Sequence, residues 1–539
     1  MDAERGGVAD VLVIGGGFGG GVVALALARE GLSVVCLEQG DRPDPADYPG
    51  RFPEWELHAR ARWSTDPNVR RLPSDYPIEV SDSDVSPTLF NGVGGSSILY
   101  AAQWPRFFPS DFRVRTLDGV ADDWPLSWRE LWPLYDAADR QFGVSGVSGD
   151  PAQPPTEDFP LPPLPLGRAG EVVSRGMDAL GWHWWPGTNA IASRAYEGRR
   201  PCVQRGTCGS GCGEGAKAST DRTHWPEAER LGARLVTGAR VREISTSRDG
   251  LATGAVYIDR SGIERFQAAR VVVLAASGIG NPRLLLLSTS PSHPNGLANS
   301  SGLVGRRLML HCRASVIGLF DEPLRSWQGH RGESIHSYQF YESDASRGFV
   351  RGAKWTLIPL AGPLEAALLR RPGGQPLGED LHRAVDGTLG HAAVWAIVGE
   401  DLPEESNEVV LDDRLRDGDG IPAPKLRYRI SEHSRRLVAF HSARAAESLR
   451  AAGARDVIVD LGTSAKSPHL MGTTVMGTDP ARSVVDAHGR AHDVPNLYVV
   501  GGSVFVTSAG VNPSPTIAAL ALRTAARIVA GRRDQVTAA

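Results

Sequence analysis

The sequence predicts a mixed α/β fold of more than one domain, with a parallel-sheet unit at its N-terminus. Three observations carry that expectation. DVLVIGGGFGGGVVALALAREGLSVVCLEQG, residues 10–40, runs from an apolar stretch through a glycine turn and an apolar helix to a second apolar stretch. The same strand–turn–helix order returns in RVVVLAASGIGNPRLLLLS (270–288) and in NLYVVGGSVFVTSAGVNPSPTIAALALRTAARI (496–528). A chain of 539 residues also exceeds what one hydrophobic core supports, roughly 250–300 residues.

Within the first unit, Val11–Ile14 reads as a parallel strand buried on both faces. Gly15-x-Gly17-x-x-Gly20 follows at once, Val22–Arg29 reads as helix, and Ser33–Leu37 as a second strand ending at Glu38. This is the logic of a Rossmann turn. Gly15 permits the bend, Gly17 lets backbone approach a pyrophosphate, and Gly20 lets helix and strand pack closely. The helix N-terminus favours the phosphate charge, and Glu38 suits the ribose hydroxyls. Phe18, inside the same turn, is counted with the cofactor residues. The alternative is a purely structural turn.

Bulk composition narrows the partners. A net charge of −4 with 41% hydrophobic residues leaves no footprint for nucleic acid or an anionic membrane surface. Val11–Ala28 and Leu497–Leu522 lack charge, but their glycines and prolines mark buried strand–turn–helix segments rather than membrane spans. MDAERGGVAD has no basic run before its apolar stretch, so no secretory leader is expected. Five cysteines are too few for a disulfide scaffold. A cytoplasmic protein is expected.

Further segments complete the pattern. NGVGGSSILYAAQWPRF (91–107) is a second glycine loop, followed by DDWPLSWRELWPLYDAAD (122–139). Near the end, SPHLMGTTVMG (467–477) sets one histidine among small and apolar residues, and VVDAHGRAHDVPNLYVV leads into the last unit. Taken with the N-terminal turn, these segments resemble the glucose-methanol-choline (GMC) oxidoreductase family of FAD enzymes. Within it, the likeness is to bacterial pyranose oxidases and C-glycoside 3-oxidases.

The resemblance implies a Rossmann-like FAD-binding domain interleaved with a substrate-binding domain built on an antiparallel sheet. The FAD domain would comprise residues 1–45, 85–120, 200–310 and 456–539. The substrate domain would comprise 121–199 and 311–455, with 46–84 as a connecting or lid segment. Gly94, Gly95 and Ser96 would line the pyrophosphate and the flavin edge. Val241 would meet the adenine through its backbone, Ala276 would continue the cleft, and Gly502 and Ser503 would lie near the ribityl chain.

The family carries a histidine before a Gly-Thr-x-x-Met-Gly run and a second His or Asn before its final helix. His469 and Asn512 occupy those places. The resemblance therefore implies that they meet over the flavin, with His469 as the general base. A neutral imidazole can accept the hydroxyl proton while hydride leaves the same carbon for flavin N5. Asn512 would clamp the hydroxyl oxygen, and could also cap the last helix.

Fungal pyranose oxidases attach FAD through the histidine of a Thr-His-Trp run after the glycine loop. Ile98-Leu99-Tyr100 stands there instead, so non-covalent FAD is expected, and His224 of the later Thr223-His224-Trp225 reads as structural. Cys202, Cys208 and Cys212 read as small buried thiols, an iron–sulfur cluster or a Cys208–Cys212 disulfide being the alternatives. His311 reads as structural, and Gln328 as a substrate contact.

The expected activity is oxidation of a secondary ring hydroxyl (C2 or C3) of a sugar or glycoside to a ketone. Electrons would pass to O2, giving H2O2, or to a quinone-type acceptor, and a homo-oligomer is compatible. The rivals are a hydroxynitrile-lyase-like enzyme, a sterol oxidase, and the flavoprotein subunit of a quinone- or cytochrome-linked dehydrogenase.

Overall fold

The computed structural model describes residues 7–537 apart from 361, 372 and 463–465; the side chains of 533–537 also lie outside the description. Most of the N-terminal stretch read for a leader, residues 1–6, falls outside it as well.

Strand β1 (Ala9–Ile14), helix α1 (Phe18–Arg29) and strand β2 (Val34–Glu38) form the expected N-terminal unit. Along β1, Val11 and Val13 join one apolar cluster, while Leu12 and Ile14 join another. Burial on both faces explains the unbroken apolar run. Helix α1 begins at Phe18 rather than Val22, in spite of three consecutive glycines. Packing overrides propensity here: a Cβ at Gly20 would sit 2.0 Å from the Gly15 carbonyl oxygen, and one at Gly21 would press on Thr220 and Trp225.

Seven strands make the nucleotide-side sheet. Arg234–Thr237, β2, β1, Glu264–Leu274 and Leu497–Val499 run parallel. Glu264–Leu274 is long enough to serve twice. Its first half pairs antiparallel with Ala252–Ile258, itself paired with Arg240–Thr246, and its second half pairs with β1.

The second sheet is antiparallel, in the order Asp456–Asp460, Cys312–Leu319, Ala392–Gly399, Ala353–Pro359, Ile335–Ser337, Trp185–Pro186. Helices Gly167–Ala179 and Glu432–Ala451 cover one face through Val172, Val173, Leu437 and Leu449, packed with Ala314, Val316, Trp355 and Trp395.

The structure corrects three expected boundaries. Asp456–Asp460 is an edge strand of the antiparallel sheet, so the chain returns to the nucleotide side after 460, not at 456. Helix Trp128–Phe142, assigned to the substrate side, packs on the other layer: the Tyr135 hydroxyl lies 2.7 Å from Thr516 Oγ1, and Phe142 stacks on Phe18. Residues 46–84 end in strand Glu79–Ser83, which pairs with Pro422–Tyr428 in a small third sheet rather than forming a free lid. In each case distant pairing decides membership, and local sequence does not record it.

Between the sheets lies a closed ionic network. Arg351, with no exposed side-chain surface, donates to Glu400 at 2.9 Å and also meets Asp111 and Asp118. Removing only the cation would strand Asp111 and Glu400 in the interior, a loss of about 3–5 kcal/mol. Arg351→Met should therefore lower the denaturation midpoint steeply, as read by chemical unfolding.

Candidate active site

A cleft of about 1160 Å³ runs along the carboxyl ends of the parallel strands. Gly15, Gly17, Phe18, Glu38, Gly95, Ser96, Val241, Ala276 and Gly502 all line it. At one end are Glu38 and Val241; at the other are Pro468, Leu470 and Pro513, which flank His469 and Asn512.

The residues present fit FAD. The N-terminal residue Gly17 gives α1 no side-chain cap, leaving its first amides free for an anion. The left-handed φ of +105° at Gly15, where a Cβ would strike the Ala275 carbonyl, keeps the turn tight. Glu38 is aimed by two amides, Gly16 N at 2.7 Å and Gly40 N at 2.9 Å. A register shift beside Val241 loosens its ladder, which suits a backbone contact.

Three predicted residues act from behind the wall. Gly20 packs on Gly15. The Gly94 amide donates to the Gly16 carbonyl at 2.9 Å. Ser503 is buried, and its hydroxyl accepts from Asn281 at 2.8 Å. Trp225, not singled out from the sequence, donates its indole N–H to the Gly16 carbonyl at 2.8 Å and braces the turn. His224 is structural: it lies between Thr223 and Gln141, and burial pushes its pKa down to about 3.

At the far end the structure brings His469 and Asn512 together, with Asn512 Nδ2 3.5 Å from His469 Nε2. Asn512 Oδ1 is buried without a partner, so the alternative in which this side chain caps the last helix is not what the structure shows.

His311 also belongs here. The antiparallel bridge between Met309 and Met471 places residues 311 and 469 opposite each other, and their Nδ1 atoms lie 2.7 Å apart. His311 Nε2 meets the carbonyls of Ser508 (3.1 Å) and Ala509 (2.8 Å). A carbonyl only accepts, so Nε2 carries the His311 proton and Nδ1 is bare. His469 must then donate from Nδ1, which leaves the lone pair on its Nε2, facing Asn512. Burial first, and neighbouring positive charge second, hold His469 well below its ordinary pKa; burial brings His311 to about 4. Both rings are neutral at pH 7.

Residues of the antiparallel sheet pin the loop that carries Asn512. The Lys354 amide donates to the Gly510 carbonyl at 2.9 Å, and the Gly510 amide donates to the Tyr341 hydroxyl at 3.1 Å. Ser508 Oγ bonds the Asp401 backbone at 2.9 Å. His311 (φ +54°) and Ala509 (φ +53°), which touch, both hold left-handed backbone, a strain that collects at functional sites.

Two other candidates lie elsewhere. Gln328 is exposed in a turn and does not line this cleft. Cys202, Cys208 and Cys212 are free thiols, and burial pushes Cys202 up to about 12. Among the described residues no His, Cys, Asp or Glu group is arranged to hold a metal ion. No helix among them is long and apolar enough to cross a membrane.

Comparison with known proteins agrees with this architecture. Residues 166–313 and 403–521 each match a GMC oxidoreductase family model, and 13–75 match a NAD(P)-binding Rossmann-like domain. The 2-methyl-1,2-propanediol dehydrogenase of Mycolicibacterium austroafricanum is 42% identical, over 95% of this chain and 94% of its own. The paromamine 6'-oxidase of Streptomyces fradiae is 31% identical, over 97% and 91%. The fructose dehydrogenase large subunit of Gluconobacter japonicus is 29% identical, over 97% and 98%. Pyridoxine 4-oxidase from Mesorbium loti superposes with a TM-score of 0.64 at 20% identity, over 96% of this chain and 99% of its own, a likeness of fold. With its cleft, its sheets and these relatives in agreement, the chain belongs to the GMC oxidoreductases, a family of FAD-dependent enzymes acting on CH–OH groups.

Proposed function

We propose that this enzyme oxidises a secondary ring hydroxyl, at C2 or C3, of a sugar or glycoside to the ketone, with His469 as general base. The observation that carries the reading is the His469 Nε2 lone pair, fixed by His311 and lying 3.5 Å from the Asn512 amide.

The substrate hydroxyl would give its proton to His469 Nε2 and be held by Asn512, whose unpartnered Oδ1 invites a second donor from the substrate. Non-covalently bound FAD would supply the two-electron acceptor for the hydride leaving the carbinol carbon. O2 would then remove the electron pair as H2O2, or a quinone would remove it as hydroquinone. Burial around His469 keeps the imidazole uncharged, so its lone pair is free to accept a proton. Five unpaired cysteines support a reducing, cytoplasmic setting.

A second reading also has an observation behind it. The relative with 42% identity is named for 2-methyl-1,2-propanediol. In that molecule only the primary alcohol carries a hydrogen on its carbinol carbon, so a small primary alcohol would be the substrate.

One experiment separates the readings. Anaerobic mixing with glucose, xylose, aryl C- and O-glycosides and 2-methyl-1,2-propanediol should bleach the flavin with the sugars. Bleaching by the diol alone would replace the sugar reading, and bleaching by none would end both.

Two expectations follow from the histidine pair. Since His469 works unprotonated and its pKa is depressed, kcat/KM should stay level from pH 8 down to 6.5 and fall only below that. His311→Phe should lower kcat/KM about 10- to 100-fold with FAD retained, as loss of an orienting partner does. His311→Gln, which keeps an acceptor oxygen, should recover part of it.

A further inference from the structure

One strand of the antiparallel sheet carries a half-buried cation that no described residue matches. Along Cys312–Leu319, residues 312, 314 and 316 enter the apolar core under the helices. Arg313 and Ser315 therefore present the opposite face. Register aligns Arg313 with Val398 and Val398 with Lys354, and in the next row Ser315 with Ala396, Thr356 and His336. This is a floor of mostly small and polar side chains, and Arg313 stands two residues along the chain from His311, whose Nδ1 lies 2.7 Å from His469 Nδ1.

The two cations differ in one respect. Lys354 is fully buried and ion-paired with Glu333 at 2.5 Å. The guanidinium of Arg313, half-buried, makes no hydrogen bond or ion pair with any described residue, and desolvation pushes its pKa down. The buried arginines have partners: Arg70 has Asp75, Arg106 has Asp136 and Asp139, Arg283 has Asp417, Arg351 has Glu400, and Arg199 has the Ala216 and Phe142 carbonyls. A guanidinium taken partly out of water without a counter-charge keeps its donors free for a ligand. It also does not line the cofactor cleft.

We propose that Arg313 recognises a carboxylate on the substrate, so that the alcohol oxidised at His469 and Asn512 belongs to an acidic sugar. The inference rests on the sugar oxidation proposed above and narrows its substrate class. A guanidinium presents two parallel N–H groups that fit a carboxylate's two oxygens. The charge count favours that group over a phosphate: with Lys354 matched by Glu333 and both histidines neutral, one positive charge is left to satisfy, and a carboxylate brings one.

D-glucuronate and D-glucose test this, because they differ only in carboxylate against hydroxymethyl at one carbon. In steady-state turnover of the holoenzyme with an artificial electron acceptor, kcat/KM should favour glucuronate by at least about tenfold. In Arg313→Gln that ratio should fall on the order of 30-fold, mostly through KM, and Arg313→Lys should fall between. A wild-type preference for glucose, or a ratio unchanged in Arg313→Gln, would overturn the assignment.

A turnover-independent measurement keeps the two proposals apart. Titrating propionate into the holoenzyme at constant ionic strength should perturb the flavin absorption spectrum, and the perturbation should vanish in Arg313→Gln. If no sugar bleaches the flavin but this spectral effect depends on Arg313, the sugar reading fails and carboxylate recognition stands. If propionate leaves the spectrum unchanged, carboxylate recognition fails.

Discussion

Replacing His469 with alanine is expected to slow flavin reduction by substrate about 10²- to 10⁴-fold, the usual contribution of a positioned general base. The argument is geometric first. His311 holds the ring in one tautomer through a 2.7 Å bond, and the basic nitrogen that remains faces the Asn512 amide. Asn512 can orient a hydroxyl but cannot accept its proton at neutral pH, so it cannot stand in for the imidazole. The electrostatics agree, since burial keeps His469 uncharged and ready to accept. FAD content should be unaffected, because Pro468 and Leu470, rather than His469, line the cleft. Rapid anaerobic mixing measures the rate, and the ratio of visible to ultraviolet absorbance measures the cofactor. A rate within threefold of wild type would remove His469 from the chemistry.

Gly20→Ala should have the opposite signature, loss of the cofactor itself. The added methyl would lie 2.0 Å from the Gly15 carbonyl oxygen and 3.3 Å from Ala275 Cβ. Its first obstacle is backbone, so no side chain can swing away. Either α1 moves off β1 or the turn opens, and each displaces the amides that face the phosphates. A hundredfold weaker hold on FAD corresponds to about 2.7 kcal/mol, and the same amount of ligand stabilisation would be lost from the folded state. The variant should purify largely colourless and melt at lower temperature, with excess FAD restoring part of both. Full occupancy after gel filtration would contradict this account of the turn.

The two sites were not equally legible in the sequence. The strand–turn–helix unit at residues 9–38 shows in short-range pattern alone, because buried parallel strands and close-packed glycines leave local marks. His469 and Asn512 were findable through the motifs around them. His311 was not: LMLHCRAS reads as an ordinary buried histidine, and its partner lies 158 residues away. Only the Met309–Met471 bridge sets the two opposite each other. Arg313 left a faint signal, a lone charge in an otherwise apolar strand, but that signal does not say whether a counter-ion waits inside the fold. Gln328 lies exposed in a turn, and residue type alone does not tell which way a loop side chain points. Helix Trp128–Phe142 and strand Asp456–Asp460 changed sides because long-range pairing assigned them.

The loop bearing Asn512 has a divided allegiance. Its chain continues into the nucleotide layer, yet Tyr341, Lys354 and Asp401 of the opposing layer fasten it. Under the proposed function, yellow colour and reactivity would have separate owners: one layer would retain the pigment, while turnover would need the seam. Damage confined to that seam should yield a protein that looks healthy in the cuvette and does nothing, so colour alone is a poor certificate of a working preparation.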